Sequence, residues 1–179
     1  AASAFYPSPF KESLVLCLDA VGEWATTTAW IGNGNKLQQI WEINFPHSIG
    51  MLYSSFTYYC GFKVNSGEYK LMGLAPYGKP IYKDKILNNL ISINDDGSYK
   101  LKMKYFKYHR GLRMISSAFI NLFGRKKRIA EEPISQFHMD IASSIQAVTE
   151  LLVIKITSKL YEKYKINNLC MAGGVALNC

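Results

Sequence analysis

The segment that most restricts the fold is a long helix pattern followed by a short strand and a glycine turn. From Ser135 to Tyr164, apolar residues recur at helical spacing: Phe137, Ile141, Ile145, Val148, Leu152, Ile156 and Leu160. The apolar run 169–172 predicts a strand, Gly173 and Gly174 a sharp turn, and residues 175–178 the opening of a helix. Such a unit can hold a phosphate on free N–H groups, although glycine pairs also occur for packing alone. The pattern predicts an α/β fold.

The N-terminal part predicts three strands joined by short turns. The strands are expected at residues 14–18, 25–31 and 37–43, with a tight turn at 33–35. The first strand is continuously apolar, which is typical of a central strand, and it ends at Asp19. Gly22 in the following loop would let backbone come close to a ligand. Asp19 is therefore a candidate phosphate-site or metal-site carboxylate, and a turn-capping role is the ordinary alternative.

A second informative stretch, residues 64–78, is rich in small and turn-forming residues. Glu68 and Lys70 lie there among apolar neighbours, where charged side chains are usually paired or engaged with a ligand. An intramolecular ion pair and a ligand contact are equally good interpretations. The other predicted elements are helices at 48–59, 81–90 and 111–123, the last ending at Gly124, and a hairpin of 90–93 with 99–105.

The net charge of +8 comes from one segment. Residues 100–128 hold ten Lys or Arg and no acid, with Tyr105, Phe106 and Tyr108 between them. Such a patch could follow phosphates and stack bases. A solvated face, with residues 125–128 as a surface loop, is the favoured interpretation.

The sequence shows no signal-peptide pattern, no membrane-span pattern and no zinc-finger spacing. The start of the chain has no basic and apolar signal-peptide regions, and its longest apolar runs are far shorter than the roughly 20 residues of a membrane span. The four cysteines have no zinc-finger spacing, and Cys17 and Cys170 lie in predicted buried strands. His138 is expected to be a capping or surface residue of the long helix. We expect a reduced, cytoplasmic setting and no membrane.

Three segments together resemble one family. They are residues 1–27, ending in Asp19-Ala20-Val21-Gly22-Glu23-Trp24-Ala25-Thr26-Thr27, residues 64–78, and Ala172-Gly173-Gly174-Val175-Ala176-Leu177-Asn178-Cys179. The chain resembles the ATP-linked O-carbamoyltransferases of the nodulation-protein-U, tobramycin and cephamycin type. The run Asp140 to Gln146 and the residues around Tyr108-His109 also resemble that family, so the similarity extends over nearly the whole chain.

The resemblance implies an actin-like ATPase fold (sugar kinase, heat-shock ATPase and actin type). The chain would be the central part of the nucleotide-binding carbamoyl-transfer domain, cut within the glycine turn, with a β and helical excursion at about 80–130. A separate domain, which the chain lacks, would make carbamoyl adenylate from carbamoyl phosphate and ATP. The carbamoyl group would then pass to a hydroxyl of a small acceptor, and the fragment would be inactive alone.

The resemblance also implies site residues. Asp19 matches a carboxylate ligand of a divalent metal, most often iron, whose histidine ligands and second Asp would lie outside this chain. The nucleotide contacts it implies are Gly22, Glu23, Gly67, Glu68, Lys70, Gly173, Gly174 and Asn178. Trp24 would line the same cleft or be a core aromatic. The resemblance is compatible with a homodimer, and it does not imply nucleic acid as a partner.

Two other function classes stay open from the sequence. The basic segment and the kinship of the fold with a tRNA-modifying threonylcarbamoyl-transfer protein suggest a nucleic-acid-binding module. An ordinary kinase or chaperone ATPase on the same fold is the third candidate, because a fold does not fix a function. The long match at residues 64–78 argues against the third candidate.

Overall fold

The computed structural model describes residues 1–178, and these form two compact units. Unit 1 contains Ala1–Met51, Asn94–Tyr99 and the residues from Leu152 onward, and unit 2 contains Leu52–Ile93 and Lys100–Leu151. The α-helices are α1 (Ala2–Phe5), α2 (Ile49–Tyr59), α3 (Glu68–Leu74), α4 (Lys83–Leu90), α5 (Ser117–Phe123) and α6 (Gln136–Tyr164). The strands are β1 (Glu12–Leu18), β2 (Ala25–Asn33), β3 (Lys36–Asn44), β4 (Ile91–Ile93), β5 (Tyr99–Leu101) and β6 (Leu169–Ala172).

A mixed four-stranded sheet forms the centre of unit 1, in the order β3-β2-β1-β6. β1, β2 and β3 are antiparallel neighbours, whereas β6 lies parallel to β1 with Leu14 opposite Leu169. The predicted turn between β2 and β3 is confirmed, because Asn33 pairs with Lys36 and Gly34 adopts a positive φ of 58°. Parallel β1 and β6 end at the same edge of the sheet, and this geometry creates the site described below.

Both faces of β1 are buried, as its continuous apolar run predicts. Val15 and Cys17 pack with Phe5 of α1 and Cys170 of β6 on one face. The ring of Phe5 lies over Gly32, where an added Cβ would come within 2.7 Å of the ring atoms. On the other face, Leu16 and Leu18 are fully buried. Burial of this kind contributes about 25 cal/mol per Å² of apolar surface and makes the strand the core of unit 1.

Aromatic side chains dominate the core of unit 2. Phe56 and Tyr59 of α2 meet Phe119 of α5 at ring-centroid distances of 5.1 and 5.3 Å with edge-to-face geometry. Phe137 of α6 also packs edge-on against Tyr59, 6.1 Å away. Such pairs add about 0.5–1.5 kcal/mol each beyond the area they bury. The helical spacing of these aromatics in the sequence is therefore a packing signal.

The long predicted helix is confirmed as α6, and its apolar stripe is buried along its whole length. α6 is long and apolar enough to span a membrane by length and composition, the one helix among the described residues that is. Because the apolar stripe packs into the protein interior, the length and apolar composition of α6 are those of a core helix.

Two predicted boundaries are wrong. The predicted helix at 111–123 begins only at Ser117, because Ser116 caps it through its side chain and Ile115 pairs with Phe106 as a β-bridge. The second strand of the hairpin ends at Leu101, and Met103–Tyr105 is a 3₁₀ turn. The stretch 64–78, interpreted as turn-rich, contains helix α3. The mixed α/β class is confirmed, and the excursion at 80–130 lies in unit 2 except for Asn94–Tyr99.

Candidate functional site

Asp19 lies directly after β1, and Gly173 lies directly after its parallel neighbour β6. The register, with Cys17 opposite Ala172, places these two residues side by side at one edge of the sheet. A Cβ added to Gly173 would lie 2.8 Å from Asp19 Oδ1, which shows how closely the carboxylate approaches the glycine turn. The structure therefore brings together the two loops that the sequence singled out at opposite ends of the chain.

Gly173 cannot readily be replaced at this position. Its φ is +94°, which L-residues rarely adopt, and a Cβ would collide with the carbonyl oxygen of Leu18. Gly174 has no positive φ and open space where its Cβ would be. Of the two glycines of the turn, only the first is required by the backbone.

The helix predicted after the turn is a short 3₁₀ helix, Gly174–Leu177, within the described residues. Its N–H groups reach back three residues, with Ala176 N donating to Gly173 O at 3.1 Å and Asn178 N to Val175 O at 3.0 Å. Asn178 is extended, with ψ of 124°, and this ends the turn. The helix opening predicted at residues 175–178 is thus present as a 3₁₀ helix that ends at Leu177, and Cys179 lies outside the described residues.

The backbone around Asp19 is held from three directions. Its N–H donates to Thr26 O at 2.9 Å across the β1–β2 loop, and its carbonyl accepts from Ser48 Oγ at 3.0 Å. Gly50 packs against the same stretch, since a Cβ there would lie 2.8 Å from Ala20 Cα. Sequence reasoning missed Ser48, which also receives the N–H of Met51 and so caps α2. A Ser between Pro46 and an apolar helix pattern was the signal that could have found it.

The β1–β2 loop exposes Gly22, Glu23 and Trp24. Gly22 has φ +60°, and a Cβ would lie 2.5 Å from the carbonyl oxygen of Ala25. The Trp24 side chain is 64% exposed, so the interpretation of Trp24 as a core aromatic is wrong. Its ring is 6.2 Å from the ring of Phe45, and its carbonyl accepts from Phe45 N at 2.9 Å. The loop thus presents an aromatic and a carboxylate to solvent on a fixed backbone.

Asp19 could contribute one ligand to a divalent cation. The residue is half-buried, and its carboxylate faces the backbone of the glycine turn. A carboxylate is a hard oxygen donor of the kind that Mg²⁺, Mn²⁺ or iron binds. Over residues 1–178, no group of three or more His, Cys, Asp or Glu could hold a metal ion. These residues therefore fit a share of a metal site and not a complete one.

In unit 2, Glu68 organises its own loop. Its Oε1 accepts from Ser54 Oγ at 2.7 Å and from Asn65 N at 3.1 Å, and its Oε2 accepts from Gly67 N at 3.2 Å. Glu68 is the first residue of α3, where a carboxylate also interacts favourably with the helix dipole. Gly67 is buried, and a Cβ there would lie 2.6 Å from the carbonyl oxygen of Lys63.

Lys70 is exposed two residues further on. Its Nζ lies 5.9 Å from the centroid of the neighbouring Tyr69 ring, a cation–π distance. No ion pair joins Lys70 to Glu68 in the part of the chain that the structure describes. The interpretation as an intramolecular ion pair is therefore wrong among the described residues: the Glu68 carboxylate accepts from Ser54 Oγ and two backbone N–H groups, and the Lys70 ammonium is exposed.

The end of the 64–78 stretch and the residues that follow it contact α6. Gly78 lies against the Met139–Asp140 backbone with no room for a Cβ, and Lys79 N donates to Asp140 Oδ1 at 2.9 Å. Ser144 Oγ accepts from Tyr82 N at 3.0 Å. Asp140 and Ser144, which belong to the run that resembles the carbamoyltransferases, therefore have a packing role that the sequence did not reveal.

The basic segment is not a uniform surface. Arg128 is 5% exposed, and its guanidinium donates to the carbonyls of Cys60 (2.6 Å), Ala130 (3.1 Å) and Glu132. The prediction that residues 125–128 form a surface loop is therefore wrong for Arg128. Tyr105 and Phe106 are buried, so two of the three interleaved aromatics cannot stack on bases.

Two side chains of unit 2 that belong to reactive residue types, Cys60 and His138, have structural roles. Burial raises the pKa of the Cys60 thiol to about 12, against the opposing effect of Arg128, so the thiol stays protonated at neutral pH. His138 Nδ1 accepts from Ser135 N at 3.1 Å, at the N-terminus of α6. The prediction of a capping histidine is confirmed.

Comparison with known proteins identifies a family and several relatives of this chain. Residues 1–179 match the family described as carbamoyltransferase N-terminus. The chain is 60% identical over its full length to an uncharacterised protein of Synechocystis sp., covering 29% of that protein. It is 31% identical to nodulation protein NolNO of Sinorhizobium fredii, over 99% of the chain and 24% of the relative. It is also 31% identical to nodulation protein NolO of Bradyrhizobium diazoefficiens, over 100% of the chain and 30% of the relative.

The coverage differs between the relatives and the family. The chain spans less than a third of the length of each of these relatives. The family match, in contrast, extends over all 179 residues. The chain therefore belongs to the carbamoyltransferase N-terminus family.

Proposed function

We propose that the chain is part of an ATP-dependent O-carbamoyltransferase that moves a carbamoyl group from carbamoyl phosphate, through carbamoyl adenylate, to a hydroxyl of a small acceptor. One observation carries the proposal: in a member of this family, the Asp19 carboxylate stands beside the Gly173 turn at the shared edge of β1 and β6. A carboxylate next to exposed backbone suits a cation and a phosphate together.

In the proposed transfer step, the acceptor oxygen attacks the carbamoyl carbon of the adenylate. The new C–O bond forms, the mixed-anhydride bond breaks, AMP leaves and the hydroxyl proton is released. Asp19 would supply one carboxylate ligand to the divalent metal, and the Gly173–Gly174 backbone would let the phosphate approach closely, with Asn178 beyond it. The metal, when bound, supplies a Lewis acid that stabilises the developing oxyanion.

Unit 2 offers separate nucleotide contacts in this proposal. Glu68 Oε2 accepts from Gly67 N and keeps capacity to accept from a ribose hydroxyl. Lys70 is exposed and can neutralise a phosphate. Gly22 and Glu23 are proposed contacts from unit 1. The actin-like ATPase fold is also proposed, and the mixed sheet with a buried central β1 supports it.

The test uses the full parent protein, carbamoyl phosphate, ATP and a panel of hydroxyl acceptors. We expect acceptor-dependent release of AMP and pyrophosphate, and we expect Asp19→Asn to lower the transfer rate about 100-fold or more, as loss of a ligand at a catalytic metal does. Glu42→Gln, which changes an exposed carboxylate of β3 in the same unit, is the matched control.

Two outcomes would count against this function. ATP hydrolysis that needs no carbamoyl phosphate would point to the kinase or chaperone alternative. Transfer by Asp19→Asn at the wild-type rate would remove the carboxylate from the mechanism even if the parent protein is a carbamoyltransferase.

A further inference from the structure

A buried tyrosine hydroxyl lies between the two elements that hold the backbone of Asp19. Tyr99, the first residue of β5, is 1% exposed. Its hydroxyl oxygen accepts from Ile49 N at 3.0 Å and lies 3.0 Å from Thr27 Oγ1, where either hydroxyl can donate. Burial raises the pKa of the Tyr99 hydroxyl to about 12, so the group stays protonated at neutral pH. One side-chain atom therefore joins β2 to the start of α2.

The residues next to these two partners are the ones that hold the main chain of Asp19. Thr26, which precedes Thr27, accepts the Asp19 N–H through its carbonyl at 2.9 Å. Ser48, which precedes Ile49, donates its hydroxyl to the carbonyl of Asp19 at 3.0 Å. The backbone of Asp19 is thus held on both sides by residues one position away from the partners of the tyrosine hydroxyl.

The partners of this hydroxyl need it because they are buried. Ile49 is the first residue of α2, and the first N–H groups of a helix have no acceptor within the helix. Ser48 Oγ receives the N–H of Met51, whereas the N–H of Ile49 goes to Tyr99. Ile49 and Thr27 are each 1% exposed, so water does not readily replace a lost partner, and all these hydrogen bonds lie within unit 1. Without the hydroxyl, β2 and the start of α2 would have to move to satisfy their polar groups.

We infer that Tyr99 is a positioning residue, whose hydroxyl keeps β2 and α2 at the spacing that holds the Asp19 carboxylate against the Gly173 turn. The inference rests on the proposed function where it concerns a metal, because Asp19 is a proposed ligand. Groups that orient a metal ligand without touching the metal commonly change metal affinity by about 10–100-fold. Tyr99 acts on the site in this indirect way.

Two substitutions that each remove one buried oxygen test the inference in the full parent protein. Tyr99→Phe deletes the bridging hydroxyl. Tyr59→Phe is the matched control, since Tyr59 is also 1% exposed and its hydroxyl donates to Arg125 O at 2.8 Å within unit 2. In hydrogen exchange followed by mass spectrometry, we expect the amides of residues 19–27 and 48–51 to exchange about tenfold faster in Tyr99→Phe and at the wild-type rate in Tyr59→Phe.

Metal binding gives a second readout, with Mn²⁺ as the probe. Isothermal titration calorimetry should show about tenfold weaker Mn²⁺ binding for Tyr99→Phe and unchanged binding for Tyr59→Phe. Thr27→Val keeps the branched shape of the side chain and removes its hydroxyl, so it breaks the bridge on the β2 side alone. It should weaken Mn²⁺ binding about threefold, and it tests the same bridge if Tyr99→Phe does not fold.

The inference is overturned if exchange around Asp19 keeps its wild-type rate in Tyr99→Phe, if Tyr59→Phe weakens Mn²⁺ binding as much, or if the wild type binds no Mn²⁺. Where Tyr99→Phe does not fold, wild-type Mn²⁺ affinity in Thr27→Val overturns it. Weaker Mn²⁺ binding by Tyr99→Phe, in a parent protein that releases no AMP with any acceptor, would contradict the proposed function and leave the role of Tyr99 standing.

Discussion

At the residue scale, neighbouring atoms of the candidate site pack tightly around the Cα of Gly173. Gly173 has no Cβ, and the space that a Cβ would occupy is filled by the Leu18 carbonyl and the Asp19 carboxylate. Because β1 and β6 are paired up to Cys17 and Ala172, directly before this point, the backbone has little freedom to make room. The backbone therefore requires a glycine at position 173 for the turn that follows β6.

We therefore predict that Gly173→Ala destabilises the protein by about 2 kcal/mol or more, from strain at positive φ plus a backbone clash. Gly174→Ala is the matched control, and it should change stability by less than about 0.5 kcal/mol because its Cβ would meet open space. Urea unfolding followed by circular dichroism measures both. Equal losses for the two variants would show that the clash at Gly173 relaxes.

Residue roles were only partly predictable from the sequence. Asp19 and Gly173 were each found from local pattern, and the resemblance placed them in one site, but their contact depends on parallel pairing across more than 150 residues. Arg128 and Ser54 illustrate what was missed. A buried guanidinium bound to carbonyls and a serine bound to Glu68 are tertiary arrangements that leave no local sequence signal.

At the element scale, α6 begins with a capping box in which a histidine takes the place of the usual Glu or Gln. Ser135 precedes the helix, and the neutral His138 ring accepts the Ser135 N–H. Burial, followed by the nearby positive charges of Arg128 and Arg125, lowers the pKa of His138 below its ordinary 6.5. Protonation removes the acceptor, so the cap works only with the neutral ring.

The pH dependence follows from this direction of shift. The unfolded state takes up a proton near pH 6.5 and the folded state only at lower pH, so the stabilisation is complete above pH 6.5 and falls as the pH drops towards the folded pKa. We predict that His138→Gln, which keeps a capping side chain that does not titrate, loses less stability than the wild type between pH 7.5 and pH 5.5. Urea unfolding at both pH values is the measurement.

His138→Ala serves as the comparison. It should lose about 1 kcal/mol at pH 7.5 and show the same reduced pH dependence, because it has neither cap nor titration. Identical pH dependence in wild type and His138→Gln would show that other groups dominate the acid response.

Element types were predicted better than their boundaries. Strands with clear apolar patterns and the long stripe of α6 were confirmed because burial acts on every residue of such elements. Helix α3 and the late start of α5 were missed. Their ends depend on Glu68 engaging its own loop and on Ser116 bonding to Phe119 N, contacts that residue spacing does not encode.

At the scale of the whole molecule, the sequence overstates the basic surface. The excess charge lies in residues 100–128, but Arg128 is buried and Lys127 covers the Tyr58 ring at 3.7 Å. With Tyr105 and Phe106 in the interior, the surface keeps positive charge and loses two of the three interleaved aromatics that could stack on bases. Such a surface attracts any polyanion without distinguishing bases.

We predict weak nucleic-acid binding of purely electrostatic origin. Affinities for poly(U) and poly(A) should agree within about twofold and fall at least tenfold between 50 and 200 mM salt. Arg125→Gln with Lys126→Gln should weaken binding, because both side chains are exposed. Fluorescence anisotropy measures each case. Tight binding at 200 mM salt, or a strong preference for one polymer, would revive the nucleic-acid module as a function.

The anchoring of Asp19 has an entropic consequence for whatever binds there. Its backbone is held by Thr26, Ser48 and the close approach of Gly50, and its side chain stands against Gly173. A ligand that meets this carboxylate finds the main chain already ordered, so binding need not be accompanied by the loss of about 1–2 kcal/mol per residue that fixing a loose loop entails. In the proposed site, selectivity at Asp19 would then depend on the fit of the metal ion to a shape that exists before the ion arrives.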